Sequence, residues 1–259
     1  MPRALFLSPH FDDVAFSCGA TSNALAAAGC ETTLCTVFTR SVPHPTGFAL
    51  ACQLDKGLDA AVDYLALRRH EDDAAAATLA ATHSLRLELP EAPHRGYECA
   101  AALFGDYAAE DDIAEQLART LEPLLAASDA VFAPQALGAH VDHRRVRDAV
   151  LACSVTRRDP DGGASTYWYR DLPYAINHSA ATSCPAIEML PERAFELRAS
   201  AMTTKLAACA CYGSQLGFQF GDAAAMRRTL DDFARAEAAR FLLAQSAEVF
   251  RSSAALPSF

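Results

Sequence analysis

The sequence predicts a doubly wound α/β fold, a Rossmann-like three-layer α/β/α arrangement around a mostly parallel sheet. Short β-rich runs alternate with longer helical ones along the whole chain. The first run, ALFLS at residues 4–8, is continuously apolar, as a strand buried on both faces should be. Glycine or proline closes several of the runs.

The elements follow in order. Residues 4–8 form the first strand, and residues 17–28 a helix that Gly29 closes at its C′ position. Residues 32–38 (TTLCTVF) are β-branched and apolar, a second strand. Residues 41–57 hold two prolines and two glycines and read as a long loop, a place where function concentrates. Residues 58–82 read mostly as helix, and residues 85–89 (LRLEL) as a third strand stopped by Pro90. Residues 93–105 form a second irregular loop. Residues 111–127 form a helix with acids in its first turn, which suits the helix dipole. Residues 130–133 (AVFA) are a fourth strand ended at Pro134, residues 143–156 a helix, 159–163 a turn, and 165–170 (STYWYR) a fifth strand. Helices are expected through 205–211 and 223–243, and the tail 250–259 is expected to be loose. With no internal repeat or linker, residues 1–259 read as a single domain.

Composition removes several function classes. The 259 residues are 51% hydrophobic and 21% charged, with a formal net charge of −10. Phosphate backbones need a concentrated positive field. The only basic runs, Arg144-Arg145-Val146-Arg147 and Arg227-Arg228, are too short for a duplex and read as solvated helix faces, so no nucleic-acid partner is expected. No apolar stretch approaches the ~18 residues of a membrane span, and the apolar N-terminal run is too short for a signal peptide. Nine scattered cysteines without a CxxC pair suit a reducing compartment, so a cytoplasmic location is expected. Cys209-x-Cys211 is a weak metal or redox hint, and buried free thiols are the plainer reading.

Two clusters carry chemistry. The first, Ser8-Pro9-His10-Phe11-Asp12-Asp13-Val14, follows the first strand. In open α/β sheets, ligands sit outside the carboxyl ends of the strands. A neutral His and a carboxylate are zinc or iron ligands. In a tight turn His10 and Asp13 can point the same way, leaving Asp12 to face whatever the metal holds. The plain alternative is a strand-to-helix turn in which Asp12 or Asp13 caps the helix. The second cluster, Gly138-Ala139-His140-Val141-Asp142-His143, begins past the fourth strand. The first and fourth strands are neighbours at a doubly wound switch point, so the clusters should meet across one crevice. A His₂Asp site leaves a position open for water, whose pKa a metal lowers. His44, His70, His83, His94 and His178 read as structural.

On these motifs the sequence resembles the PIG-L/LmbE family of zinc-dependent N-acetylglucosaminyl deacetylases. The family's His-Pro-Asp-Asp-Glu corresponds to His10-Phe11-Asp12-Asp13-Val14, and its His-Pro-Asp-His to His140-Val141-Asp142-His143. Its helical Arg-x-x-Glu…Ala…Leu-Gly corresponds to Arg68, Glu71, Ala75 and Leu79, with Ala80 in place of glycine. Asp171-Leu172-Pro173-Tyr174, and Lys205 followed by Tyr212-x-Ser214-Gln215, are similar to a sub-branch, and the likeness runs to about residue 245. Carried over by position, the resemblance implies an LmbE-like fold with His10, Asp13 and His143 as metal ligands. It implies Asp12 as general base, His140 as oxyanion donor, and Asp142 as the residue that orients and charges His140. The metal implied is zinc, with iron(II), cobalt or nickel compatible with the same ligands. Phe11, Val14 and Val141 depart from the pattern at positions that ligate nothing.

Around the site, Arg40, Arg68, Glu71 and Tyr212 are candidate pocket residues, with Arg68 the candidate for binding substrate. Arg68 and Glu71, three apart on one helix, equally suit a surface pair worth a few tenths of a kcal/mol. Tyr97, Tyr167, Trp168 and Tyr169 either stack on a sugar or pack in the core. Loops 41–57, 93–105 and 213–222 are expected to choose the substrate. The function expected is metal-dependent hydrolysis of an N-acyl group, N-acetyl first, from an amino sugar or related conjugate. The alternatives are a metal-dependent phosphoesterase and a non-catalytic metal- or nucleotide-binding module. The sequence has no GxGxxG or P-loop, and ligands for one metal only. A homo-oligomer is compatible with the chain.

Overall fold

A computed structural model describes residues 1–156, 164–177 and 184–257. The expected turn at 159–163 and His178 lie outside them. Seven strands form one sheet: β1 (Arg3–Ser8), β2 (Glu31–Phe38), β3 (His83–Leu89), β4 (Ala130–Pro134), β5 (Ser165–Tyr169), β6 (Glu192–Leu197) and β7 (Ser246–Arg251), in the order β3-β2-β1-β4-β5-β7-β6. The five strands read from the sequence run parallel to one another. β6 and β7 extend the β5 edge as an antiparallel pair.

The helices are α1 (Asp13–Ala27), α2 (Gly47–Leu54), α3 (Tyr64–Thr78), α4 (Ile113–Ala126), α5 (Val141–Thr156), α6 (Tyr174–Asn177), α7 (Pro185–Glu188), α8 (Ala199–Cys209), α9 (Gly213–Phe220) and α10 (Ala223–Arg240). α2 lies inside the segment expected to be a long loop, and α9 inside the loop expected at 213–222. The tail is not loose from residue 250. Phe250 is fully buried, β7 runs to Arg251, and Ser252 N–H donates to the Pro191 carbonyl.

Apolar residues alternate across the sheet and bury on both faces. Ala4 and Phe6 of β1 face a core shared with α1, α3, α8 and α10, where the Phe6 and Phe132 rings stack with centroids 4.3 Å apart. Leu5 and Leu7 face a second core closed by α4 and α5. α4 shows why a helix docks there. Ile113, Leu117, Leu121 and Leu125, four apart, make one apolar stripe and are all buried. Each such burial is worth about 1.5–3 kcal/mol. The aromatic residues of β5 pack in these cores: Tyr167 and Tyr169 in the first, Trp168 in the second. The strand order reverses between β1 and β4, so both motif clusters leave the sheet at one crevice.

Candidate active site

Asp12 and Asp13 sit where β1 turns into α1, and neither spends its carboxylate on a helix cap. Asp12 occupies the N-cap position without a side-chain cap bond. Asp13 Oδ2 instead reaches back to accept the His10 backbone N–H at 2.7 Å. The turn thereby folds His10 over Asp13, with His10 Nδ1 3.5 Å from Asp13 Oδ2. From the other motif, at the start of α5, His143 Nε2 lies 3.4 Å from the same oxygen. Neighbouring donors around a tetrahedral ion with bonds near 2.0–2.1 Å stand about 3.3–3.4 Å apart.

Each imidazole is fixed from behind. His10 Nε2 meets the Asp142 carboxylate at 2.9 Å, and His143 Nδ1 meets the Asp171 carboxylate at 2.6 Å. A carboxylate only accepts, so each ring gives its N–H to the carboxylate and turns its other nitrogen toward Asp13. His143 Nε2 is buried and has no hydrogen-bond partner among the described residues. A buried lone pair left without a donor beside a carboxylate is what a metal ligand requires, so His10, Asp13 and His143 fit a divalent cation. A second trio, His10, His140 and Asp142, also brings three ligand atoms within 4.8 Å of one another. It suits a cation poorly, because Arg95 already donates to Asp142 at 2.6 Å and the Ala92 N–H at 3.1 Å.

The charges agree with this geometry. Burial works against protonation of His10, but hydrogen bonds and charge from Asp13 and Asp142 raise its pKa. Burial would raise the Asp13 carboxyl, and the His143 and His10 rings bring it below the usual carboxylate range. The pocket floor thus favours positive charge at the spot where the three ligating atoms converge.

The role expected of Asp142 is corrected. Its carboxylate turns away from His140, to His10, Arg95 and Ala92. Its backbone N–H donates to His140 Nδ1 at 3.2 Å. An N–H can only donate, so His140 carries its proton on Nε2. Burial pushes His140 down to about 3 despite the nearby Asp142 charge, so the ring is neutral rather than charged.

Arg68 is no surface pair with Glu71. It is buried, donates to Asp12 Oδ1 at 2.8 Å, and approaches Glu91 Oε1 at 3.5 Å. The Phe11 and Tyr64 rings lie 5.4 and 5.5 Å from its guanidinium carbon. Phe11, at the motif position where the family has proline, therefore serves as one wall of the Arg68 slot. Glu71 binds Ser214 instead. Tyr212 donates to Asp72 in the interior, and Arg40 Nε donates to the Glu88 carbonyl. Tyr97 donates to Asp111, and neither it nor the β5 aromatics lines the cavity. The Cys209 and Cys211 thiols donate to separate carbonyls, of Ala15 and Ala207, and form no metal pair.

Asp12, Asp13, His10, His140, Asp142 and Arg68 open on one cavity of about 520 Å³, whereas His143 lies beneath it. The three segments expected to choose a substrate all contribute to its wall: Pro43 and Phe48 from the first, Leu103 and Phe104 from the second, Phe218 and Gln219 from α9. His44 and His94, read as structural, line it too. Sequence reasoning missed Asp171, Arg95 and Gln219 as parts of the site. Asp171 was visible only as part of a branch motif, and the other two carry no local signature.

The GlcNAc-PI de-N-acetylase (PIG-L) family matches residues 5–154, more than half of the chain and both motifs. The chain belongs to the PIG-L family. A 2′-N-acetylparomamine deacetylase of Streptomyces fradiae is 36% identical over 184 residues, 69% of this chain and 60% of that protein. One of the same description from Niallia circulans is 30% identical over 243 residues, 85% of this chain and 83% of that protein. Likeness to solved structures extends over nearly the whole chain. The structure of A40926 pseudoaglycone deacetylase matches with a TM-score of 0.80 at 26% identity, covering 96% of both chains. Teicoplanin deacetylase, in its zinc-inhibited form, matches with a TM-score of 0.82 at 23% identity over 96% of this chain and 97% of its own. No helix among the described residues is long and apolar enough to cross a membrane.

Proposed function

We propose that this protein hydrolyses the N-acetyl group of a small amino-sugar conjugate, using a divalent ion, zinc first, held by His10, Asp13 and His143. The observation that carries the reading is the convergence of three ligating atoms beside Asp12, a carboxylate that caps no helix and faces a cavity. When bound, the ion would polarise the acyl carbonyl and lower the pKa of a water molecule. Asp12 takes the proton of the attacking water and returns it to the departing nitrogen. The C–N bond breaks, and a free amine and acetate leave. His140 donates its Nε2–H to the oxygen that gains charge as the carbonyl carbon becomes tetrahedral. Arg68 and Gln219 hold the Asp12 oxygens, at 2.8 and 2.9 Å, and so fix its direction.

The activity carried by the two sequence relatives supports this chemistry and makes 2′-N-acetylparomamine the first substrate to try. A two-metal phosphoesterase has less support. The second trio shares His10 with the first, and its Asp142 is already engaged by Arg95. The test is amine release from 2′-N-acetylparomamine and from N-acetylglucosamine by the zinc-loaded protein. Release that disappears in Asp12→Ala, with zinc still bound, is expected. Near-normal turnover by Asp12→Ala would remove Asp12 as the base, and a zinc-loaded wild type that releases amine from no N-acetyl sugar would overturn the reading.

A further inference from the structure

Gln219 lies on α9, inside the segment 213–222 expected to help choose the substrate, but it belongs to no motif. Its side-chain nitrogen donates to Asp12 Oδ2 at 2.9 Å. That contact fixes the amide orientation, because a carboxylate paired with Arg68 offers only acceptors. The amide oxygen therefore points away from Asp12. This Oε1 is buried and has no hydrogen-bond partner among the described residues, although the residue lines the cavity. A buried acceptor without a partner is costly, and a ligand donor reaching it from the adjoining cavity would satisfy it.

The deacetylase reading, on which this inference rests, supplies a specific donor. A secondary amide substrate has one N–H at the reacting group, and its nitrogen must end beside Asp12 to receive the proton. The two ends of the Gln219 amide are about 2.2 Å apart. A substrate N–H donated to Oε1, at about 2.9 Å and from the side of the amide nearer Asp12, would bring its nitrogen beside the carboxylate held by the other end. We infer that Gln219 Oε1 accepts the N–H of the scissile amide, and that this single side chain reads the substrate as an amide and aligns its nitrogen with Asp12. The predicted substrate class is a secondary N-acyl amine, with the matching O-acyl ester discriminated against at this contact.

The experiment compares wild type with Gln219→Met and Gln219→Ala, zinc-loaded, on an N-acetyl amino sugar and on the acetate ester of the same sugar position. Where the ester is not turned over, its inhibition constant against the amide replaces its rate. Both variants lose the donor to Asp12, a loss shared by both substrates. The amide contact adds a further loss of about tenfold in kcat/KM for the amide alone. Zinc affinity, measured by chelator competition, is expected to be unchanged, because Gln219 touches none of the three ligands. Equal losses on amide and ester, or no loss on either, would overturn the assignment while leaving the deacetylase reading intact. Failure of the wild type to release amine from any N-acetyl sugar would overturn both.

Discussion

Asp171→Asn is the sharpest test of how the ligand rings are held. The Asp171 carboxylate is fully buried and serves two donors, His143 Nδ1 at 2.6 Å through Oδ1 and the Leu137 N–H at 3.1 Å through Oδ2. An amide of the same shape has one acceptor for these two donors. If its oxygen keeps Leu137, its NH₂ faces His143 Nδ1. The imidazole proton must then move to Nε2, and the lone pair aimed at Asp13 is lost. If its oxygen keeps His143, an N–H confronts the Leu137 N–H in the interior, at a cost of about 1–3 kcal/mol. Both outcomes reduce metal affinity or stability. Loss of such a supporting carboxylate typically weakens metal binding by about 10–100-fold, or roughly 1.4–2.7 kcal/mol. Zinc competition against a chromogenic chelator reads the first quantity, and urea unfolding of the metal-free protein reads the second. A folded Asp171→Asn protein with zinc affinity within about twofold of wild type and unchanged metal-free stability would refute the reasoning.

Three further predictions follow from particular contacts. Asp12→Asn keeps the size of the base but cannot take a proton, so kcat should fall by about 10²–10⁴ with metal content unchanged, read by amine release and metal analysis. Gly138 has φ +86°, and a Cβ there would meet Tyr174 at 2.7–2.8 Å, so Gly138→Ala should displace the loop before His140 and lower both the unfolding midpoint and zinc affinity. Burial pushes Asp72 up to about 6 against the pull of Tyr212 and Arg86. Its folded pKa exceeds the unfolded 3.8, so the folded state binds the proton more tightly and this group's contribution to stability is lost as pH rises between those values. The loss is at most about 3 kcal/mol, and Asp72→Asn should flatten the fall in unfolding free energy between pH 4.5 and 6.5.

The parallel half of the fold was legible because its strands are short apolar runs punctuated by glycine and proline. β6 and β7 were not. ERAFEL is a half-exposed edge strand rich in charge. SAEVFR hides Glu248, whose burial becomes reasonable only once Lys205, 2.7 Å away, and the Thr21 hydroxyl arrive from α8 and α1. α9 was masked by its glycines, which read as loop while Leu216 packs into the core. The ligand set was suggested by spacing and resemblance, since both motifs sit at strand ends that topology makes adjacent. The supporting residues were not, because they act from a distance in sequence. Asp171 comes from beyond β5, and Arg95 from the turn after β3. The backbone N–H of Asp142, rather than its carboxylate, sets the His140 tautomer. No periodicity encodes such contacts. The loop before His140 carries its own signature of strain, with Ala136 at φ 62° and Ala139 at φ 64°, at two alanines whose residue type does not announce it.

The most direct test of the central claim is the metal content of the zinc-reconstituted protein, measured together with amine release from 2′-N-acetylparomamine before and after chelator treatment. About one equivalent of bound metal, lost in His143→Ala, with release that chelator abolishes and zinc restores, is the expected result. A folded protein that binds no divalent metal after reconstitution, or that releases amine equally well without one, would contradict the account.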